Sequence, residues 1–408
     1  MSLYWLTGWE HGVLTTGGTT APGDETHILS WSDSGPPAGS LVTTPVKNGT
    51  YAYRAQGNRY GDYKYISGGA SIVVVGCWFR TPNPTVECRP IWVIEYPTGG
   101  STYTAMLGTI SGTGEFFVGY DDGTTHRNGS GVTCVADTWY WLEFMVDASA
   151  STWNIKYRIN GVAQTDYNPA VGLARTFYSI APGGLLSSTD TTKYHYVDDV
   201  LIYTGSAGDY PIGNQQQVIV VTFDQSAAAE HQSITTTEWQ YTDDWSNYFN
   251  FTGQNETDSR SRLDDLTSAD GIRMNAGAAG QAGNARWSLA NPSPDPGTVP
   301  AGVMGWSYVS EASGGVQNLI VRALLSGNTT DLMNKDIGTE YVKGIVARPG
   351  GGSWTNQDIR DLKLEIDSTD SAPNIYVYGV LFEVAYPIST AVHIPRMGFI
   401  DHSNPGMA

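Results

Sequence analysis

Charge is scarce in this chain. Only 15% of its 408 residues are Asp, Glu, Lys or Arg, and 22 basic residues stand against 40 acidic ones, a formal net charge of -18. A surface so short of cations does not track a phosphate backbone, which excludes nucleic acid as an expected partner. Cysteine is almost missing: Cys77, Cys88 and Cys134 are odd in number, lie in the first half and lack CxxC spacing. They read as reduced thiols or small buried hydrophobes, with a Cys77–Cys88 pair as the alternative. No apolar run approaches the length of a membrane span. The opening Met1-Ser2-Leu3-Tyr4-Trp5-Leu6 has no basic segment ahead of an apolar one, so the expectation is synthesis in a cytosol, with neither export nor membrane insertion. On that expectation the sequons at Asn48, Asn128, Asn250, Asn255 and Asn328 carry no weight.

Catalytic signatures are missing too. There is no Gly-x-Ser-x-Gly elbow, no His-Glu-x-x-His pair among the scattered histidines, and no Asp-x-Asp-x-Asp-Gly loop. The Gly350-Gly351-Gly352 run lacks the Gly-Lys-Ser/Thr of a phosphate loop. A strand of the form Glu-x-Asp-x-Glu would put carboxylates on one face for glycoside hydrolysis, and Glu365 and Asp367 match its first two positions. Thr369 stands where the acid/base belongs, so no enzyme is expected.

What is abundant is aromatic and glycine: 13 Trp, 24 Tyr and 48 Gly. Aromatic segments cut by Gly-rich turns predict many short strands. The stretch Asp137 to Gly161 organises the first half. Two period-two segments flank a small polar linker, and the second ends in Asn160-Gly161, a hairpin leading into a tight turn. In its first strand Trp139, Trp141 and Glu143 point one way and Tyr140, Leu142, Phe144 and Val146 the other. Each strand should then show one face to a core and one to water or a partner. Further strands are expected at 27–31, 51–54, 70–80, 91–96, 103–107, 115–120, 177–180 and 194–203. The segment 71–79, apolar almost throughout, reads as a central strand covered on both faces. Asp121-Asp122-Gly123 reads as a hairpin turn.

Three of these pieces carry a resemblance. Trp139-Tyr140-x-Leu142-Glu143-Phe144, then Ile155-x-Tyr157-x-Ile159-Asn160-Gly161, and the closing Tyr196-Val197-Asp198-Asp199-Val200-Leu201-Ile202-Tyr203 resemble the concanavalin A-like, LamG-type jelly rolls. The opening Tyr4-Trp5-Leu6-Thr7-Gly8-Trp9-Glu10-His11-Gly12 and the exit Gly208-Asp209-Tyr210-Pro211-Ile212-Gly213 are similar to versions of that fold in minor virion proteins of tailed bacteriophages. The resemblance spans residues 1–213. It implies an all-β chain of two tandem antiparallel β-sandwiches, the first a concanavalin A-like jelly roll at 1–213 and the second at 214–390. Residues 391–408 would then be a C-terminal tail available as a docking peptide.

The second half begins with an apolar strand at 215–224, passes through a polar, Gly-rich stretch, and resumes strands at 303–311, 316–325, 340–348, 362–366 and 374–386. Thr355 with Asp358 three residues on predicts a capping box and one short helical turn.

The function that follows from the resemblance is structural: a minor capsid, decoration or tail-associated protein, homo-oligomeric, docked on other virion proteins and assembled in the host cytoplasm. The alternative is a carbohydrate-binding module for host or environmental glycans. Trp139, Trp141, Trp153, Trp239 and Trp245 are its candidate stacking rings, since a flat apolar face suits a pyranose. The same rings serve equally as core or interface. No cofactor is required. Calcium in LamG-type domains sits at the sandwich rim, which makes Asp198 and Asp199, beside His195, the candidate ligands. Adjacent strand residues point to opposite faces, so only one of the two should serve a given site.

Overall fold

The computed structural model describes residues 3–9, 28–30, 39–56, 62–95, 103–182, 192–213, 215–221, 230–231, 237–241, 248–249, 272–276, 285–288, 300–311, 317–337, 340–367 and 374–388. Fifteen strands come first: β1 (Leu3–Thr7), β2 (Ile28–Ser30), β3 (Gly39–Val42), β4 (Ala52–Gln56), β5 (Asp62–Ala70), β6 (Ile72–Arg80), β7 (Cys88–Ile94), β8 (Thr104–Thr109), β9 (Glu115–Asp121), β10 (Thr125–Thr133), β11 (Tyr140–Asp147), β12 (Asn154–Ile159), β13 (Val162–Ala163), β14 (Phe177–Pro182) and β15 (Tyr194–Thr204). They form two antiparallel sheets. One runs β13-β12-β11-β6-β15-β4-β3 with β1 added on β15, and the other β10-β9-β8-β7-β14-β5-β2. Hairpin neighbours (β7 to β10) alternate with long crossovers that bring β15 beside β6 and β14 beside β7. That makes the pair a two-sheet antiparallel sandwich of jelly-roll type.

Twelve more strands follow: β16 (Gln216–Val221), β17 (Glu230–His231), β18 (Thr237–Tyr241), β19 (Tyr248–Phe249), β20 (Ile272–Ala276), β21 (Ala285–Ser288), β22 (Gly302–Glu311), β23 (Gln317–Leu325), β24 (Asn328–Ile337), β25 (Glu340–Ile345), β26 (Lys363–Asp367) and β27 (Asn374–Pro387). They pair as β19-β18-β20-β27-β22-β25, with β16 on β27, and as β17-β21-β26-β23-β24. All the pairings are antiparallel, and this is the second sandwich. One short helix, α1 (Asn356–Asp361), starts where the sequence placed it. Thr355 accepts from the Asp358 amide, and the Asp358 carboxylate accepts from the Thr355 amide, closing the capping box.

β6 is central as expected, flanked by β11 and β15, with every residue from Val73 to Phe79 buried. β11 departs from expectation: Tyr140 through Val146 are all buried, so neither of its faces meets water. The reason is a cover. The exit segment 205–213 folds back over the outer face of this sheet, and a Cβ added to Gly76 would stand 2.6 Å from Ile212 Cδ1 and 2.8 Å from the Trp141 ring. β12 keeps the expected alternation, with Ile155, Tyr157 and Ile159 inside. Asn160 (φ 50°) and Gly161 (φ 80°) form the left-handed turn into β13.

The core does not stop at the edge of the jelly roll. It runs from Phe144, Trp153 and Trp141 through Trp78 to Val218, Leu381 and Ala385 on β16 and β27. Each large apolar side chain so enclosed contributes about 1.5–3 kcal/mol relative to exposure.

Candidate functional site

Three buried carboxylates, Asp198, Asp199 and Glu383, gather where the two sandwiches meet. β15 carries a bulge: its register against β6 shifts between Asp198 and Leu201, and Asp199 takes φ 47°. The bulge corrects the expectation that Asp198 and Asp199 face apart. Both carboxylates reach the same loop. Asp198 Oδ2 accepts from the Lys47 amide at 2.8 Å and the Asn48 amide at 3.4 Å. Asp199 Oδ2 accepts from the Asn48 side-chain amide, and Asp199 Oδ1 from the Val218 amide of β16 at 2.8 Å. Both aspartates are buried.

Glu383 of β27 plays the reciprocal part. It is buried, and its Oε1 accepts from the Gly8 amide at 3.2 Å and from Thr7 Oγ1 at 3.4 Å, tying the end of β1 to the second sandwich. Trp78 Nε1 donates to the Gln216 carbonyl at 2.8 Å, and the Lys47 ammonium stands 4.1 Å from the centre of the Trp78 ring. A buried carboxylate stripped of water is tolerable only when donors replace its hydration, and here backbone amides do so. Amide hydrogens turned toward the oxygens would oppose a cation there. Among the described residues, no three His, Cys, Asp or Glu side chains gather as a metal site. His195 is buried inside the jelly roll, its ring 5.7 Å from that of Phe79.

Glu143, in the middle of β11, anchors the exit segment. Its Oε1 accepts from Trp141 Nε1 at 3.1 Å, and its Oε2 from the amides of Ile212 at 2.9 Å and Gly213 at 3.4 Å. Burial holds this carboxyl above its ordinary pKa, opposed by those hydrogen bonds and by the nearby Arg158.

The candidate stacking rings separate. Trp141 and Trp153 are fully buried, Trp141 edge-on to Trp78 at 5.6 Å and Trp153 against Phe177 at 5.5 Å. Neither has a free face for a sugar, a correction with two causes: the exit segment covers Trp141 on the outer face, and Trp153 packs inward against Tyr120 and Phe177 of the other sheet. Trp139 is half-buried, one residue before β11. Trp239 has its backbone in β18, while its ring, Trp245 and the tail 391–408 lie outside the described residues.

Glu365 is buried in β26, and its Oε1 accepts from Arg322 at 2.8 Å. A carboxylate already neutralised by a guanidinium reads as a structural ion pair. Asp367 ends the same strand, and Thr369 lies outside the described residues. The three cysteines are free, and no Cys77–Cys88 bridge forms: Cys77 is on β6 and Cys88 on β7, in different sheets. Burial pushes the Cys88 and Cys134 thiols up to about 12.

No protein-family model and no curated protein sequence matches the chain. Among solved structures it is similar to domain 4 of AbnA, a GH43 extracellular arabinanase from Geobacillus stearothermophilus, in complex with arabinotriose. That match has 17% identity over 42% of this chain and 78% of that one, at a TM-score of 0.32. It is also similar to the binding domain of Paraclostridial Mosquitocidal Protein 1, at 8% identity over 89% of this chain and 96% of that one, TM-score 0.34. A third is the catalytic domain of a glycoside hydrolase family 131 protein from Coprinopsis cinerea, at 15% identity over 50% and 95%, TM-score 0.29. At such distances no residue's role passes to this chain.

Proposed function

We propose that the protein is a non-catalytic structural component of a bacteriophage virion, homo-oligomeric, that docks on other virion proteins after assembly in the host cytoplasm. The observation that supports this reading is the buried junction. Asp199, Glu383 and Trp78 join the two sandwiches through hydrogen bonds, and one core spans both. A tandem fused in this way transmits load and holds distant surfaces in a fixed relation, which suits a particle component. An enzyme acting by closure would need the opposite. The identification with a virion rests on the jelly-roll motifs quoted above.

The test is the mass of the purified full-length chain by light scattering, together with its rebinding to phage particles that lack it. A stable oligomer that rebinds supports the proposal. A monomer that ignores the particles overturns it.

The second reading, a carbohydrate-binding module, is favoured by one feature of the first sandwich. Where the outer face of its larger sheet escapes the exit segment, it presents aromatic rings and arginines side by side.

A further inference from the structure

That open part of the sheet is a single cross-strand row. Arg54 on β4 and Arg80 on β6 are both register partners of Tyr196 on β15, and Ser40 on β3 is the partner of Arg54. At the other end, Tyr140 pairs with Phe79 and Asp137 pairs with Arg80 at 2.8 Å, which brings Trp139 to the β11 end of the same row. Tyr194 lies two residues along β15. Its ring is 5.4 Å from that of Tyr196 and 5.8 Å from the Arg54 guanidinium. Arg54, Tyr194, Arg80 and Trp139 are all half-buried.

The charges on this row run against the rest of the chain. In a protein of net charge -18, two guanidiniums here face one carboxylate, Asp137, whose side chain is 59% exposed. Arg54 has no carboxylate partner among the described residues, and its Nε is buried without an acceptor, as is Arg80 Nε. With the Nε atoms enclosed, the terminal nitrogens of the Arg54 guanidinium are the donors left for an acceptor from outside. The guanidinium fork matches the two oxygens of a carboxylate. The rings beside it offer flat apolar faces, and the Tyr194 and Ser40 hydroxyls lie within the same patch.

We propose that this row, Arg54 with Tyr194, Tyr196, Arg80 and Trp139, binds a saccharide that carries a carboxylate. The terminal nitrogens of Arg54 take the carboxylate, and sugar rings lie on the half-exposed Tyr194 and Trp139, while Tyr196, itself buried, packs against Tyr194. Arg80, held by Asp137, adds field rather than a second fork. Arg54 and Arg80 sit two strands apart, about 10 Å at the backbone, so an oligosaccharide laid across the strands reaches both. The inference rests on the carbohydrate-binding reading and not on particle docking.

The experiment is a calorimetric titration of the full chain with tetragalacturonate, with its fully methyl-esterified form, and with a glutamate tetrapeptide. Quenching of tryptophan fluorescence serves as the second readout. The acid sugar is expected to bind at least tenfold more tightly than the ester or the peptide, more weakly as salt is raised. R54A should cost tenfold or more, and R54K, which keeps the charge and loses the fork, should fall between. S40D sets a carboxylate beside an intact Arg54 and should abolish binding with the fold unchanged, so the proposal stays testable if R54A fails to fold. Equal binding of acid and ester would overturn the carboxylate site while leaving a carbohydrate module standing. Equal binding of the peptide, or wild-type affinity in both R54A and S40D, would overturn it as well. No binding of any probe at millimolar concentration would overturn it together with the carbohydrate reading.

Discussion

Asp199 on β15 and Val218 on β16 are 19 residues apart in the chain and belong to different sandwiches, yet the Asp199 carboxylate accepts the Val218 amide proton at 2.8 Å. The left-handed φ of Asp199 aims the side chain, and the strand bulge beside it supplies the room. A Cβ on Gly8 would stand 3.2 Å from Asp199 Oδ1 and 2.9 Å from Val218 Cβ, so β1 closes tightly over the pair.

D199A removes an acceptor shared by the Val218 amide and the Asn48 side chain and leaves the Val218 amide buried without an acceptor. The expected loss is about 2–4 kcal/mol, the sum of a charged hydrogen bond and an unmet donor. The form of unfolding is also expected to change. Wild type should unfold in urea as one transition, and D199A as two, since the junction no longer couples the sandwiches. Matching fluorescence and circular dichroism curves for the variant would refute the coupling.

Glu143 gives a pH dependence of unusual sign. Burial raises its folded pKa above the ordinary 4.5, so the native state binds a proton where the unfolded chain does not. Its contribution to stability is therefore fully present below the unfolded pKa and is lost as pH rises through the folded one. The stability difference between wild type and E143Q should move in favour of wild type as pH falls from 8 to 5. Urea midpoints of the two proteins across that range measure it, and a flat difference would count against the buried anchor.

The parts of the fold legible in the sequence were those with strong local pattern. The apolar run of β6, the aromatic hairpin of β11 and β12 and the Thr355–Asp358 capping box all formed where expected. β24 escaped notice because it is an edge strand with one neighbour, and the hairpin turn at Asp121-Asp122-Gly123 implies β10 without giving its range. Their sequences, THRNGSGVT and NTTDLMNKDI, need no alternating apolar face. The junction was illegible for a different reason. Whether Asp198 and Asp199 face apart or together depends on a bulge created by pairing with β6, and sequence spacing alone does not encode that. Glu143 did leave a signal: a lone carboxylate inside YWLEFMV has to be buried and therefore has to find donors. Arg54 and Arg80 could not be paired from the sequence, since only the β4–β15–β6 register brings them to one row.

Arg348 holds the turn before α1. Its Nε and a terminal nitrogen pair with both Asp358 oxygens at 2.9 Å, and its other terminal nitrogen donates to the Gly351 carbonyl at 2.7 Å. The guanidinium, with help from Thr355, lowers the Asp358 carboxyl to about 2 from the ordinary 3.8. A depressed pKa contributes stability above the unfolded value, lost as pH falls through the folded one, here the window from 3.8 down to about 2. R348A should return Asp358 toward the ordinary range in an NMR titration and lower stability slightly at neutral pH. An unmoved Asp358 would show that the cap alone sets it.

The thiols offer the most direct check on packing. Cys77, Cys88 and Cys134 are buried, and desolvation raises all three, Cys88 and Cys134 to about 12. Only the thiolate attacks a disulfide reagent, so at pH 8 both its population and its access are suppressed. Native protein should show no thiol reactive toward an aromatic disulfide over minutes, and all three should appear in guanidinium. Because Cys77 lies on β6 and Cys88 on β7, their relative labelling rates below the unfolding midpoint, where only local opening exposes them, report which sheet opens more readily. If the junction clamps the sheet of β6 through Trp78 and Gln216, Cys88 should label faster than Cys77 in wild type, and D199A should narrow that difference. Reaction of Cys77 first would place the weak point of the jelly roll at the junction itself, and the fused tandem would lose its mechanical rationale.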